Sequence, residues 1–102
     1  MSASYYKAFD RGRNIGAWID FNTERGEVVD YRVVLLLGPP GQRVTIRVYD
    51  CAHGYNEMHR YTQTGGKQTG TRFHSGTLGE GLNSAIKEAE LGYVAMIEGW
   101  RR

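Results

Sequence analysis

Apolar and polar residues alternate in three segments of the first half of the chain. Residues 15–22, 28–37 and 43–50 place apolar side chains at every second position, which is the period expected when one face of a β-sheet is buried. Turn-forming residues separate the segments at 23–27 and 38–41. The pattern predicts three strands, and the second is expected to be central because it is apolar on both faces near its end.

Weaker strand patterns occupy three further segments. Residues 5–9 predict an early strand, and residues 57–63 and 68–74 predict the last two strands around a glycine-containing turn. The low apolar content of 57–63 and 68–74 is typical of strands at a sheet edge. Residues 51–56 lack alternation and contain a glycine, so we expect a loop there.

The last quarter of the chain has the period of a helix. From Leu82 to Trp100, apolar residues recur at spacings of three or four, and Thr77 and Glu80 have the spacing of a capping box. Four glycines lie within residues 79–99 and lower the intrinsic helix propensity. A helix over 77–100 therefore depends on packing against the sheet for its stability.

Together these elements predict an α+β fold. We expect one domain over residues 1–102, β-rich over 1–75, in which an antiparallel meander of four to six strands carries the C-terminal helix on one face. A length of 102 residues suits one domain, and 40% hydrophobic with 24% charged residues is typical of a folded globular chain.

Cellular location is predicted from what the sequence lacks. No apolar run approaches the roughly 18 residues of a membrane span, and the first ten residues lack the apolar core of a secretory signal. The single Cys51 cannot form an internal disulfide. We expect a cytoplasmic protein without a membrane partner.

Charge changes this picture only over one segment. The net charge of +2 does not by itself indicate a nucleic-acid partner. Residues 43–74, however, hold five basic and two acidic residues and all three histidines of the chain. The densest part is 47–61, which includes a predicted strand end and a loop, where rigid scaffolds commonly present functional groups.

Metal-free cleavage of RNA is one reaction that these side chains can perform. The 2′-hydroxyl needs a base, the leaving oxygen needs an acid, and the phosphorane needs cations. His53 and His59 are the candidate acid–base pair, with Asp50 orienting an imidazole. Phosphate clamps and stacking surfaces for bases are expected from nearby side chains: Arg47, Arg60, Arg72, Tyr49, Tyr55 and Tyr61.

The same residues allow other interpretations. Asp50, His53 and His59 can supply a carboxylate and two imidazoles to iron or zinc, although their spacing matches no standard zinc signature. Cys51 becomes a nucleophile only if its pKa is lowered. The cluster can also be structural, with Asp50 capping the loop and Gly54 supplying a positive φ. His74 fits an ordinary residue at a strand end.

The run Asp50-Cys51-Ala52-His53-Gly54, followed by His59, resembles a motif of small bacterial toxins of the TumE type and related uncharacterised domains. That motif reads Asp-Asn-Ala-His-Gly-x-x-His-x-His and precedes a C-terminal helix ending near a Trp. In this chain Cys51 stands for the Asn and Glu57 for the middle His. The resemblance implies the toxin of a toxin–antitoxin pair that acts on RNA or translation, with a cognate antitoxin as partner.

A protein of another class fits the sequence as well. A non-enzymatic binding or inhibitor module, bacterial or phage-borne, can dock a protein or nucleic acid through an exposed edge strand or the tyrosine-rich face. Exposed edges also allow a homodimer. We favour the toxin-like ribonuclease, acting by metal-independent acid–base chemistry without a cofactor.

Overall fold

The computed structural model describes all 102 residues and confirms the α+β class. The helix and strands are β1 (Ser2–Asp10), β2 (Ile15–Glu24), β3 (Glu27–Leu37), β4 (Val44–Asp50), β5 (Asn56–Thr62), β6 (Gly66–Lys67), β7 (Thr71–His74) and α1 (Leu78–Arg101). Every strand pair is antiparallel, and β1 to β5 are adjacent in chain order. The one helix is not both long and apolar enough to span a membrane.

The last predicted strand, 68–74, is shorter in the structure: only Thr71–His74 form a strand, β7, and the two-residue β6 lies in the predicted turn before it. Both β6 and β7 pair with β5, so that Tyr61 lies opposite Lys67 and Met58 lies opposite Thr71. Residues 68–70 between them belong to neither strand and form an arch at this edge of the sheet, which the Gln68 N–H ties to β5 by donating to the Arg60 carbonyl oxygen at 2.8 Å. The arch has a direct role in the site described below.

Helix α1 packs on one face of the sheet and buries two apolar clusters. The larger cluster contains Ala17, Ile19, Tyr31, Val33, Tyr49, Cys51, Met58, Leu82, Ala85 and Ala89. The smaller cluster contains Ile15, Leu35, Ile46 and Ile97. Ala85 and Ala89 are fully buried, so small side chains let the helix approach the strands closely.

The opposite face of the sheet carries no helix, and the strand register arranges its side chains in two rows. Tyr6, Trp18, Val34, Val48 and His59 pair across five strands and form the first row. The adjacent row, which we call the charged row, contains Ser4, Asp20, Arg32, Asp50, Glu57 and Arg72. Asp50, Glu57 and His59 therefore stand on the face without a helix.

The start of α1 has the predicted capping box. The backbone N–H of Glu80 donates to Thr77 Oγ1 at 3.2 Å, and the backbone N–H of Thr77 donates to Glu80 Oε1 at 2.9 Å. This backbone hydrogen bond lowers the pKa of Glu80, since it stabilises the ionised carboxylate. The two bonds satisfy amide groups that the first helical turn leaves without partners.

Asn56 ties the sheet to the start of the helix. Tyr31 donates its O–H to Asn56 Oδ1 at 2.7 Å, and Nδ2 of Asn56 lies 3.1–3.3 Å from three carbonyl oxygens, those of His74, Gly76 and Thr77. Asn56 is 2% exposed. A Cβ on Gly81 would lie only 1.9 Å from Asn56 Oδ1, so this helix position requires glycine.

We expect Asn56→Ala to lower the free energy of unfolding by about 3 kcal/mol, because it leaves buried polar groups without partners. Urea denaturation measures the change. Asn83→Ala, on the exposed side of α1, is the matched control and should change stability by less than about 0.5 kcal/mol. Equal effects of the two substitutions would contradict the role of Asn56.

Candidate functional site

The buried carboxylate of Glu57 joins three side chains on the face without a helix. His53 Nδ1 lies 2.8 Å and His59 Nε2 lies 3.0 Å from Glu57 Oε1. Tyr55 donates its O–H to Glu57 Oε2 at 2.8 Å. The Glu57 side chain is 5% exposed. One carboxylate therefore fixes the positions of two imidazoles and one phenol.

Local structure explains why these groups meet. Glu57 and His59 are two residues apart on β5, so their side chains share a face. Gly54 adopts a φ of +85°, which glycine accepts without strain, and its N–H donates to the Cys51 carbonyl at 2.9 Å. This turn returns His53 to the carboxylate at the start of the next strand.

His59 is held on both sides of its ring. Nδ1 lies 3.1 Å from the carbonyl oxygen of Gln68, and Nε2 lies 3.0 Å from Glu57 Oε1. The residue is 8% exposed. A Cβ on Gly70 would lie 2.6 Å from both His59 Cε1 and Glu57 Oε2, so the backbone of the 68–70 arch covers the two side chains. Because both ring nitrogens face protein oxygens and the residue is buried, the structure does not present His59 to a substrate as the predicted acid–base pair requires.

His53, unlike the buried His59, is exposed to solvent. Its side chain is 66% exposed while Nδ1 donates to the buried Glu57. In the neutral imidazole this bond places the proton on Nδ1 and the lone pair on Nε2, which makes no hydrogen bond within the protein. A histidine so oriented can accept and return a proton. Glu57 thus fills the orienting role that the sequence predicted for Asp50.

Electrostatics keep Glu57 ionised and Tyr55 protonated. Hydrogen bonds from His53 and then from Tyr55 lower the pKa of Glu57 to about 2, and they outweigh the opposing effect of desolvation. The same bond from Tyr55, which stabilises the protonated phenol, raises the pKa of Tyr55. The Glu57 carboxylate thus accepts hydrogen bonds from His53 and Tyr55, and His59 Nε2 lies 3.0 Å from its Oε1.

Arg72 and Asp50 flank this carboxylate in the charged row. Arg72 is directly opposite Glu57 on β7, and its guanidinium lies 4.6 Å from the centre of the Tyr55 ring. Asp50 is opposite Glu57 on β4 and accepts from the backbone N–H of Ala52 at 3.3 Å. Asp50 therefore joins the cluster without bonding an imidazole, and Arg72 supplies its cation.

The expectation that Tyr49 binds substrate is wrong. Tyr49 is fully buried against the helix, with its ring edge-to-face on Phe73 at 4.9 Å between centroids. Its O–H donates to Glu88 Oε1 at 3.1 Å, and burial raises its pKa to about 12. No face of this ring is available for stacking on a base.

Arg47 and Arg60 also lie on the helix side, away from His53. Arg47 pairs with Glu88 at 3.5 Å, whereas Arg60 is exposed and forms no salt bridge. Both line a cleft of about 690 Å³ between α1 and the ends of β4 and β5, which we call the arginine cleft. Its other lining residues include Tyr61, Gln68, Gly92, Gly99 and Trp100.

Cys51 and His74 stand apart from the cluster. Burial raises the pKa of the Cys51 thiol, whose Sγ lies 3.5 Å from Asp30 Oδ1. The structure thus supplies no feature that activates a cysteine nucleophile. His74 lies at the end of β7, with its ring 6.4 Å from that of Phe73, so the interpretation of His74 as a strand-end residue stands.

Glu57 lies within residues 47–61, the segment that the sequence predicts to be functional, but no role is predicted for it there. The alternation that puts Glu57 and His59 on one face of β5 was available in the sequence. Asp50, Glu57 and His59 each offer a ligand atom within 4.8 Å of the others, and these are the side chains that can hold a metal.

No protein-family model, curated protein or solved structure matches the chain.

We expect the stabilising effect of Glu57 to disappear in acid. Its folded pKa of about 2 is below the ordinary 4.5, so the stabilisation is complete above pH 4.5 and is lost as the pH falls toward 2. In urea denaturation with EDTA, Glu57→Gln should be less stable than the wild type at neutral pH, and the difference should shrink in acid.

Glu98→Gln, at an exposed position of α1, is the control and should follow the wild-type curve. A deficit in Glu57→Gln that stays constant from pH 7 to pH 2 would show that the carboxylate charge does not stabilise the fold.

Proposed function

We propose that the protein is the toxin-like member of a bacterial toxin–antitoxin pair and cleaves RNA in the cytoplasm by metal-independent acid–base chemistry. The observation that supports this proposal is the exposed His53 ring, bonded through Nδ1 to the buried Glu57 at 2.8 Å. A carboxylate that orients an imidazole while its second nitrogen faces outward is the arrangement of general-base sites on many folds.

In the proposed reaction His53 moves one proton twice. Nε2 accepts the proton of the 2′-hydroxyl as that oxygen attacks phosphorus, and Glu57 stabilises the imidazolium that forms. The same proton then passes to the 5′-oxygen as the phosphorus–oxygen bond to it breaks, which leaves a cyclic phosphate. Arg72, opposite Glu57, is the group placed to neutralise the phosphorane.

Support for the toxin class comes from the motif positions. Asp50, His53, Glu57 and His59 occupy the histidine and aspartate positions of the TumE-type motif, and these are the side chains that gather around one carboxylate. Glu57 stands at the position of the middle motif histidine, where its carboxylate accepts the hydrogen bond from His53. A cognate antitoxin and RNA are the proposed partners, and the unpaired edge of β1 is available for a homodimer.

We expect His53→Ala to lower the rate of RNA cleavage by about 100-fold or more, because it removes the proton carrier. The assay uses purified protein, a labelled single-stranded RNA and EDTA. His74→Ala, outside the cluster, should retain the wild-type rate. Expression of the wild type should arrest growth while His53→Ala should not, and equal cleavage or equal arrest by the two proteins would refute the enzymatic proposal.

The arginine cleft favours a second candidate, a module that binds single-stranded nucleic acid without cleaving it. Arg60 is free of salt bridges and lies beside Trp100 in the cleft. Arginine can clamp a phosphate, and an indole can stack on a base. The helix glycines Gly92 and Gly99 leave room for such a ligand.

For this second candidate we expect Arg60→Glu to weaken binding of a labelled single-stranded RNA at least tenfold, measured by fluorescence anisotropy. Lys87→Glu, an equal change of charge at an exposed position of α1, should have a much smaller effect. His53→Ala should bind normally. If Arg60→Glu and Lys87→Glu weaken binding equally, the cleft is not the binding surface.

A further inference from the structure

We infer that Asp50, Glu57 and His59 form a binding site for a divalent transition-metal ion such as Zn²⁺, and that the bound ion competes with His53 for Glu57. The site is built from the sheet itself: Asp50 and Glu57 are direct partners across β4 and β5, and His59 follows on the same face. Their ligand atoms lie within 4.8 Å of one another. This inference goes beyond the proposed RNA cleavage, which needs no metal.

The bonds behind these three residues point to a ligand in the centre. The carbonyl of Gln68 accepts from His59 Nδ1 at 3.1 Å, which directs Nε2 at the cluster. Metal-binding histidines usually donate their other ring N–H in this way. Tyr55 holds Glu57 Oε2 at 2.8 Å and the Ala52 N–H holds Asp50 Oδ1 at 3.3 Å. Each of the three side chains thus has one polar atom anchored by the protein.

Charge at the centre of the cluster also favours a cation. Asp50 and Glu57 are like charges directly opposite each other on neighbouring strands, an arrangement that destabilises a sheet, and the arginines of the same row, Arg32 and Arg72, lie on their outer sides rather than between them. Glu57 is nearly buried, and the 68–70 arch covers it and His59. In this sheltered position the attraction between a dication and two carboxylates is stronger than it is in water.

The donor set selects the class of ion. One imidazole nitrogen with two carboxylate oxygens suits zinc, manganese or iron(II), whereas magnesium prefers oxygen ligands alone. No thiolate takes part, because Cys51 Sγ faces Asp30. Three protein ligands leave a coordination position for water, as in catalytic rather than structural zinc sites.

Binding of an ion changes the state of His53. The ion needs Glu57 Oε1, the same oxygen that holds His53 Nδ1 at 2.8 Å. Because the His53 side chain is 66% exposed, it can swing into solvent when this bond is lost. Zinc is therefore expected to lower the metal-free cleavage rate, and this consequence alone rests on the proposed function.

Titration of EDTA-treated, dialysed full-length protein with ZnCl₂ in a calorimeter, without RNA, tests the site. We expect saturation at one ion per chain and at least tenfold weaker binding by Asp50→Asn. This side chain is only half-buried, so the variant should fold. Glu98→Gln and His74→Gln, a carboxylate and a histidine outside the cluster, should bind as the wild type does. MgCl₂ should not replace ZnCl₂.

Absence of saturable zinc binding would overturn the inference, and so would equal weakening in Asp50→Asn and Glu98→Gln. The result is independent of the proposed cleavage, which is measured separately in EDTA. When zinc is added to the cleavage assay, a slower reaction in the wild type but not in Asp50→Asn supports the competition with His53. A faster reaction would overturn that competition.

Discussion

The pairing register between β4 and β5 determines which chemical groups of this protein share a surface. With Asp50 opposite Glu57 and Val48 opposite His59, the carboxylates and the imidazole stand on the face without a helix, while Tyr49 and Met58 enter the core beneath α1. A slip of one residue would exchange the two sets. Core packing therefore also fixes the geometry of the candidate site.

Alternation along the chain predicted the antiparallel strands, and spacings of three and four predicted the helix. Alternation assigned the residues of β4 incorrectly to the two faces of the sheet. Leu35 lies opposite Arg47 and Leu36 lies opposite Thr45, so Ile46 is the extra residue of a bulge in β4, and it packs toward the helix with the smaller cluster. A strict period of two cannot show such a bulge. Strict alternation therefore predicts an accessible Tyr49, whereas its ring fills the core.

The contacts of the 68–70 arch with His59 and Glu57 complete the site, and the alternation of apolar and polar residues does not predict them. Spacing alone placed His53 and His59 in one segment, but the arch at 68–70 determines that His59 is enclosed while His53 stays accessible. The arginines divide in the same way, because Arg72 belongs to the cluster and Arg47 and Arg60 to the cleft behind it. An RNA strand that touches both would have to pass around the edge of the sheet formed by β6 and β7.

The carbonyl oxygen of Gln68 gives the arch one more consequence. Gln68 lines the arginine cleft while its carbonyl accepts the hydrogen bond from His59. Gln68 therefore contacts both surfaces: it lines the cleft on the helix side, and its carbonyl oxygen holds His59 on the other side. The orientation of the His59 imidazole therefore depends on the backbone position of a residue that lines the cleft on the other face.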